Sequence, residues 1–385
     1  MVFGRNEVEF DNLRPLLDKV LALSYQQKAS DIYIKADLPP FLRITGTMYP
    51  VQCEALTPKM TEYLALAIMP AHERAKFENG HPEANFVYPL KHIGRFRVNA
   101  YRQKDTVAMV FRRVEEEILD IETLGLHPVL NDLVLERRGM ILVTGPTGSG
   151  KSTTLASMIK YRKEHISGHI VTIEDPIEYV HTDTNNCLVS QREIGSDTMS
   201  FKDALESALR QAPDVLLVGE MRDQASVESA VYFAETGHLV LSTLHANNAV
   251  QTIERVLQFF PDEMHNPVLY QLSMNVKAVI AERLIPAIGG GRVPALEIMI
   301  NNARIQECLR KNALVTIKRE LDSFHPEGMQ SFDYHLLQLF RQGKITPEDA
   351  LRNSDNPNDL KLQMKHAVQE MADEGNVIRK EEKGW

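Results

Sequence analysis

The 385-residue chain predicts an α/β fold in two parts: a small α+β domain, then a larger domain built on a parallel sheet. Three observations carry that prediction. Residues 145–153 read Gly-Pro-Thr-Gly-Ser-Gly-Lys-Ser-Thr, a phosphate-binding turn set between an apolar run and a helical pattern. From Leu124 onward apolar runs alternate with helices, as crossover connections of a parallel sheet require. Before Val114, short period-two strands mix with amphipathic helices.

In the first domain, residues 1–114, Phe10, Leu13, Leu16, Leu17, Val20 and Leu21 recur at helical spacing. Residues 31–35 alternate with period two, a half-buried strand. Leu38-Pro39-Pro40 turns into a second strand over 41–44, which Gly46 ends. Thr57 is placed to cap a helix over 58–69, with Pro58 at its first position. Strands over 94–101 and 106–112 follow. The acidic residues of 115–122 fall in a linker, 115–123.

The second domain spans 124–352. Its strands are expected over 141–144, 169–173, 215–218 and 239–242, with a helix over 224–236 and another capped at Ser200. Beyond Gly289-Gly290-Gly291 the pattern reads as mainly helical. The extension 353–385 is polar and charged, and is expected to be ordered only in part.

The net charge of −9 excludes a bulk electrostatic grip on nucleic acid or anionic lipid. Cys53, Cys187 and Cys308 form no C-x-x-C pair, which excludes a thiolate zinc module and points to free thiols in a reducing compartment. No secretory signal and no apolar run of about 18 residues is present, so no transmembrane segment is expected. The expected location is cytoplasmic, with peripheral attachment to a membrane machine left open.

The chemistry is concentrated around the turn. Gly145, Pro146, Thr147, Gly148, Ser149 and Gly150 form a cradle whose backbone N–H groups, which all but Pro146 carry, point at phosphate oxygens. Lys151 supplies a mobile positive charge, the Ser152 hydroxyl suits Mg²⁺, and Thr153 completes the turn into the helix. The ligand class is a nucleoside triphosphate with Mg²⁺. Three later segments end on acids or hydrogen-bonding groups. After the strand over 169–173 come Glu174, Asp175 and Glu178, carboxylates able to orient or deprotonate an attacking water. The apolar run 215–218 ends in Glu220, the Walker B position that supports the metal shell. The run 239–242 ends in Ser242, Thr243 and His245, groups suited to sensing a γ-phosphate. A histidine after a strand also has a purely structural reading. Arg95 and Arg97 alternate on one strand and Arg112-Arg113 end the next, poised to reach a phosphate on a neighbouring subunit or to bridge the strand pair.

These four segments, in this order, resemble the secretion ATPase superfamily of type II secretion, type IV pili and related transfer systems. Residues 171–180 are similar to its aspartate box, 214–223 to its Walker B and 236–248 to its histidine box. The resemblance covers nearly the whole chain. Residues 29–34 and 94–99, then 289–299 and 303–310, resemble the pilus retraction branch, the PilT/PilU group. Tyr33, where the PilT pattern usually carries His, and the extension through Lys365 resemble the PilU type. Assembly ATPases usually carry paired C-x-x-C ligands after the histidine box, and this chain has none.

The resemblance implies a PAS-like N-terminal domain, a RecA-like P-loop ATPase domain and a homohexameric ring, with nucleotide between the domains. It places Glu178 on the family's proposed catalytic base, Glu220 on the Walker B acid, His245 on the histidine box, and Arg97 and Arg112 on the arginine positions. The implied activity is an ATP-hydrolysing motor supporting pilus retraction and twitching motility at the inner-membrane pilus base. Its implied partners are the membrane platform protein and a sister PilT-like ATPase, without nucleic acid. The alternative is an adaptor ring that binds the sister ATPase and whose own hydrolysis is dispensable.

Overall fold

The structure is a computed structural model describing residues 13–91, 93–114, 117–322 and 328–381, with side chains to residue 370. Phe10 and the first two residues of the expected linker lie outside the described residues. The chain divides into two compact units, Met1–Glu116 and Glu117–Trp385.

The first unit begins with α1 (Leu13–Gln26), which buries Leu13, Leu17, Val20 and Leu21 along one stripe. Strands β1 (Asp31–Ile34), β2 (Phe41–Ile44) and β3 (Thr47–Pro50) follow, then α2 (Pro58–Ile68) and α3 (Ala71–Glu78), then β4 (Glu83–Leu90), β5 (Gly94–Gln103) and β6 (Thr106–Arg113). They form one antiparallel sheet in the order β3-β2-β1-β6-β5-β4, the PAS-like arrangement. Thr57 caps α2 by accepting the Met60 N–H at 3.3 Å. Sequence patterning misses β3, α3 and β4. Strand β3 is exposed throughout, so it carries no alternation. Strand β4 includes Pro89, a residue tolerated there because β4 lies at the sheet edge.

The second unit opens with α4 (Val129–Val134), β7 (Gly139–Thr144), α5 (Lys151–His165), β8 (Gly168–Glu174) and β9 (Cys187–Glu193). Then come α6 (Phe201–Ala208), β10 (Val215–Val218), α7 (Gln224–Glu235), β11 (Leu239–Leu244), α8 (Ala249–Leu257) and α9 (His265–Asn275). The long strands β12 (Val276–Pro286) and β13 (Arg292–Ile300) precede α10 (Ala303–Arg310), α11 (Leu314–Leu321), α12 (Phe332–Arg341), α13 (Pro347–Asn353) and α14 (Pro357–Glu381). The sheet order is β13-β12-β7-β11-β10-β8-β9, parallel except for β13.

Apolar residues leave both faces of this sheet. Met140 and Leu142 of β7 join a core with α6 to α11, whereas Ile141 and Val143 join one with α4 and α5. Burial on both sides is why β7, β10 and β11 read as unbroken apolar runs.

The part of the chain after Gly291 is mainly helical, as expected, with two features the sequence pattern does not reveal. The chain after Gly291 is not helical at first: β13 pairs antiparallel with β12 over its whole length. Buried Glu297 and the proline at 294 hide the strand pattern. The polar extension is helical from Pro357 to Glu381, because Leu360, Met364 and Ala367 recur at i, i+4 and i+7. These three pack with Phe332 and Leu336 of α12 in a core of their own. Charged residues around the stripe mask it in a composition-based reading.

Candidate active site

Strand β7 delivers the turn and α5 leaves it, so the first helical N–H groups face the cradle. Two glycines are needed for steric reasons. At Gly145, with φ +150°, a Cβ would lie 2.5 Å from both the Glu282 carbonyl and Ser149 Oγ. At Gly150, with φ +108°, it would strike the Glu282 carboxylate. Lys151 Nζ donates to the carbonyls of Gly145 at 2.9 Å and Pro146 at 3.0 Å. Burial lowers its pKa, while Glu220, Glu282 and Glu178 act to raise it. Three carboxylates from separate segments therefore act on one ammonium group.

The turn is braced from two sides. The Thr153 and Tyr179 hydroxyls share a 2.7 Å hydrogen bond, tying α5 to the segment that carries Glu178. Strand β9 holds that segment from its other side. Gln191 Nε2 donates to the Tyr179 carbonyl at 2.8 Å and to Glu174 at 3.2 Å, and Glu193 accepts the Ile177 N–H at 3.1 Å. Burial raises the pKa of Glu174, whose carboxylate accepts from Thr172. Glu178 itself is exposed.

Glu220 follows β10 and links its neighbours. Arg222 Nε donates to it at 2.7 Å, and the same guanidinium reaches Asp175 at 3.2 Å. On its other oxygen, Glu220 meets His245 Nε2 at 3.3 Å. The chain Asp175–Arg222–Glu220–His245 thus crosses three strand ends, β8, β10 and β11, adjacent in the sheet. Ser242 and Thr243 differ from expectation. Their hydroxyls donate to the Val218 and Gly219 carbonyls at 2.7 and 2.6 Å, locking β11 onto β10. His245 is the half-exposed group left at that strand end.

A cavity of about 560 Å³ opens beside residues 146–149, lined also by Asn247, Gln251, Arg283, Arg292 and Arg352. Arg283 is anchored: it pairs with Asp355 at 2.8 Å, donates to the Asn353 carbonyl at 2.5 Å and to that of Asn247 at 3.3 Å, and sits 3.8 Å from the Phe332 ring centre. Below the start of α8, buried Glu297 accepts the Ala249 N–H at 2.7 Å, and burial lifts its pKa to about 7.

Sequence reasoning missed Arg222, Tyr179, Glu282 and Arg283. Arg222 stands two residues after Glu220, a spacing that offered a signal. The other three sit in segments whose register only the fold reveals. Arg97 and Arg112 lie in the first unit as opposite residues of β5 and β6. Arg112 donates to Asp31 at 2.9 Å, across the β1–β6 pair.

The donor set fits a nucleoside triphosphate with Mg²⁺. The cradle admits no Cβ at Gly145 or Gly150, an ammonium stands at its mouth, and the Ser152 hydroxyl and Glu220 are the hard oxygen donors Mg²⁺ prefers. The family described as Type II/IV secretion system protein matches residues 6–290. The chain belongs to this family. It is 44% identical to the type IV pilus ATPase PilU of Pseudomonas aeruginosa, over 92% of this chain and 93% of that protein. It is 41% identical to the PilT retraction ATPase of the same organism, over 89% of this chain and 99% of that one. A crystal structure of the pilus retraction motor PilT with bound ADP superposes with a TM-score of 0.84 at 42% identity, over 90% of this chain and 98% of that one. Within the family the chain is an ATPase of the PilT/PilU retraction branch. Among the described residues, no helix is long and apolar enough to cross a membrane.

Proposed function

We propose that this chain is an ATP-hydrolysing motor subunit that supports type IV pilus retraction, and that its catalytic acids are Glu178 and Glu220. The observation that carries the reading is the cradle at the end of β7, where Lys151 is bonded across the Gly145 and Pro146 carbonyls, with the Asp175–Arg222–Glu220–His245 chain on the neighbouring strand ends and the Glu178 segment tied to α5 through Tyr179. Lys151 and the cradle amides would hold the β- and γ-phosphates, and Ser152 and Glu220 are the residues that would hold Mg²⁺. When bound, Mg²⁺ neutralises phosphate charge. Glu178, exposed and braced through Tyr179, orients the attacking water and takes its proton. His245 pairs with Glu220 just after β11, in the loop that leads to α8.

Arg97 and Arg112 complete the site of a neighbouring copy in a hexameric ring. A ring that contacts phosphate from two domains unequally changes shape when the phosphate leaves, which is what mechanical work requires. The ring works in the cytoplasm against the inner-membrane platform protein, alongside a PilT-like sister ATPase. In support, the two Pseudomonas relatives are named a pilus ATPase and a retraction ATPase. Lys151→Ala is expected to abolish phosphate release while the circular dichroism spectrum stays unchanged. Wild-type turnover in that variant contradicts the site.

A further inference from the structure

Strand β12 runs beside β7 and brings a carboxyl group directly beneath the phosphate cradle. Glu282 is 3% exposed. Its Oε2 accepts the Thr154 hydroxyl at 2.9 Å, and its Oε1 lies where a side chain at position 150 would have to go. No arginine, lysine or histidine is ion-paired with it among the described residues. A buried acid without a paired cation, under a site built for anions, conflicts with the site's purpose while it is ionised. As a neutral acid it leaves the cradle's positive potential intact. It also gains an O–H that can donate.

The surroundings of Glu282 hold little to compensate an ionised form. From α5 it faces Thr154, and the charge that acts on it is Lys151, whose ammonium is bonded to the Gly145 and Pro146 carbonyls. Its partner on β13 is Leu296, and Thr144 of β7 pairs with the preceding residue, Ala281. Glu178 and Glu220 compete for the same Lys151.

We propose that Glu282 is a proton-binding site coupled to the phosphate cradle: it takes a proton from solvent when nucleotide binds and returns it when nucleotide leaves. This rests on the phosphate-cradle reading above. Burial already lifts Glu282 to about 7, opposed by the Thr154 hydrogen bond and by Lys151. Phosphate charge arriving above Gly150 acts in the same direction as burial and pushes the group higher. The sign follows from linkage: nucleotide binds the protonated form more tightly, so affinity falls as pH rises above 7 and protonation must be supplied by binding. Below pH 7 the group is already neutral and the coupling fades. Glu282 is thus a positioning residue for the nucleotide, acting through charge rather than through contact with the reacting atoms.

The test is calorimetry of ADP binding to the full-length protein at pH 7.5, in buffers of different ionisation enthalpy, with wild type and Glu282→Gln. The amide keeps an acceptor for Thr154 and removes the titration. Wild type is expected to take up more protons than Glu282→Gln, by on the order of half a proton per subunit. Equal uptake overturns the proposal while leaving the cradle intact. Wild type binding no ADP overturns the cradle reading itself, and this proposal with it. Wild-type affinity measured from pH 7.0 to 8.5 needs no variant: it is expected to weaken several-fold, and a flat profile overturns the coupling. A purely structural role for Glu282 moves neither readout.

Discussion

Arg222 holds two carboxylates that reach it from different strand ends, Asp175 after β8 and Glu220 after β10. Its side chain is 54% exposed, so the bridges contribute little to stability, about 0–1 kcal/mol for exposed pairs. Their effect is on geometry. Without the guanidinium, the ion pair left to Glu220 among the described residues is that with His245. Arg222→Gln is therefore expected to slow phosphate release about tenfold while shifting the urea midpoint hardly at all, and equal loss of stability and activity would contradict a positioning role. Much of this site is legible from residues alone. The cradle, Glu178, Glu220 and His245 follow from local spacing, since each ends or follows an apolar strand. Glu282 is not legible that way, because its place beneath Gly150 comes from a pairing of β12 with β7 more than a hundred residues apart in sequence. Nor is the bonding of Ser242 and Thr243, which depends on the β10–β11 register.

At the scale of elements, strands buried on both faces are the easiest to read, and β7, β10 and β11 fall where their apolar runs lie. The misses share a cause. Strand β9, at the sheet edge, is buried only at its end residues Cys187 and Glu193, and β13 carries buried Glu297 among apolar residues, so neither shows a clean period. Both matter to the site: β9 braces the Glu178 segment, and β13 places Glu297 under α8. Helix α14 is hidden by composition, since Leu360, Met364 and Ala367, the buried residues among its described side chains, are outnumbered by polar ones. Its start is tied back through Asp355 and Asn353 to Arg283, beside the loop that follows His245. Leu360, fully buried, anchors the helix on α12. Leu360→Ala is expected to cost about 3 kcal/mol in urea unfolding. A change below about 0.5 kcal/mol would mean that the extension does not dock.

At the scale of the whole molecule, the chain carries its cradle in the second unit and its candidate phosphate-reaching arginines in the first. If those arginines serve a neighbour, two inactive variants complement each other. Lys151→Ala keeps Arg97 intact, and Arg97→Ala keeps Lys151 intact. Mixing the two after subunit exchange is expected to restore part of the hydrolysis that each lacks alone, and no recovery in mixed rings would contradict arginine supply between copies. In the proposed ring, mechanical work requires a junction whose geometry depends on phosphate.

In the proposed mechanism, acids brought by separate strands serve one cleavage reaction at residues 145–153. Phosphate release by Glu178→Gln, measured together with its ADP affinity, tests this most directly. The expected result is affinity within a few-fold of wild type and turnover reduced by about a hundredfold or more. Turnover that stays within a few-fold of wild type would contradict it.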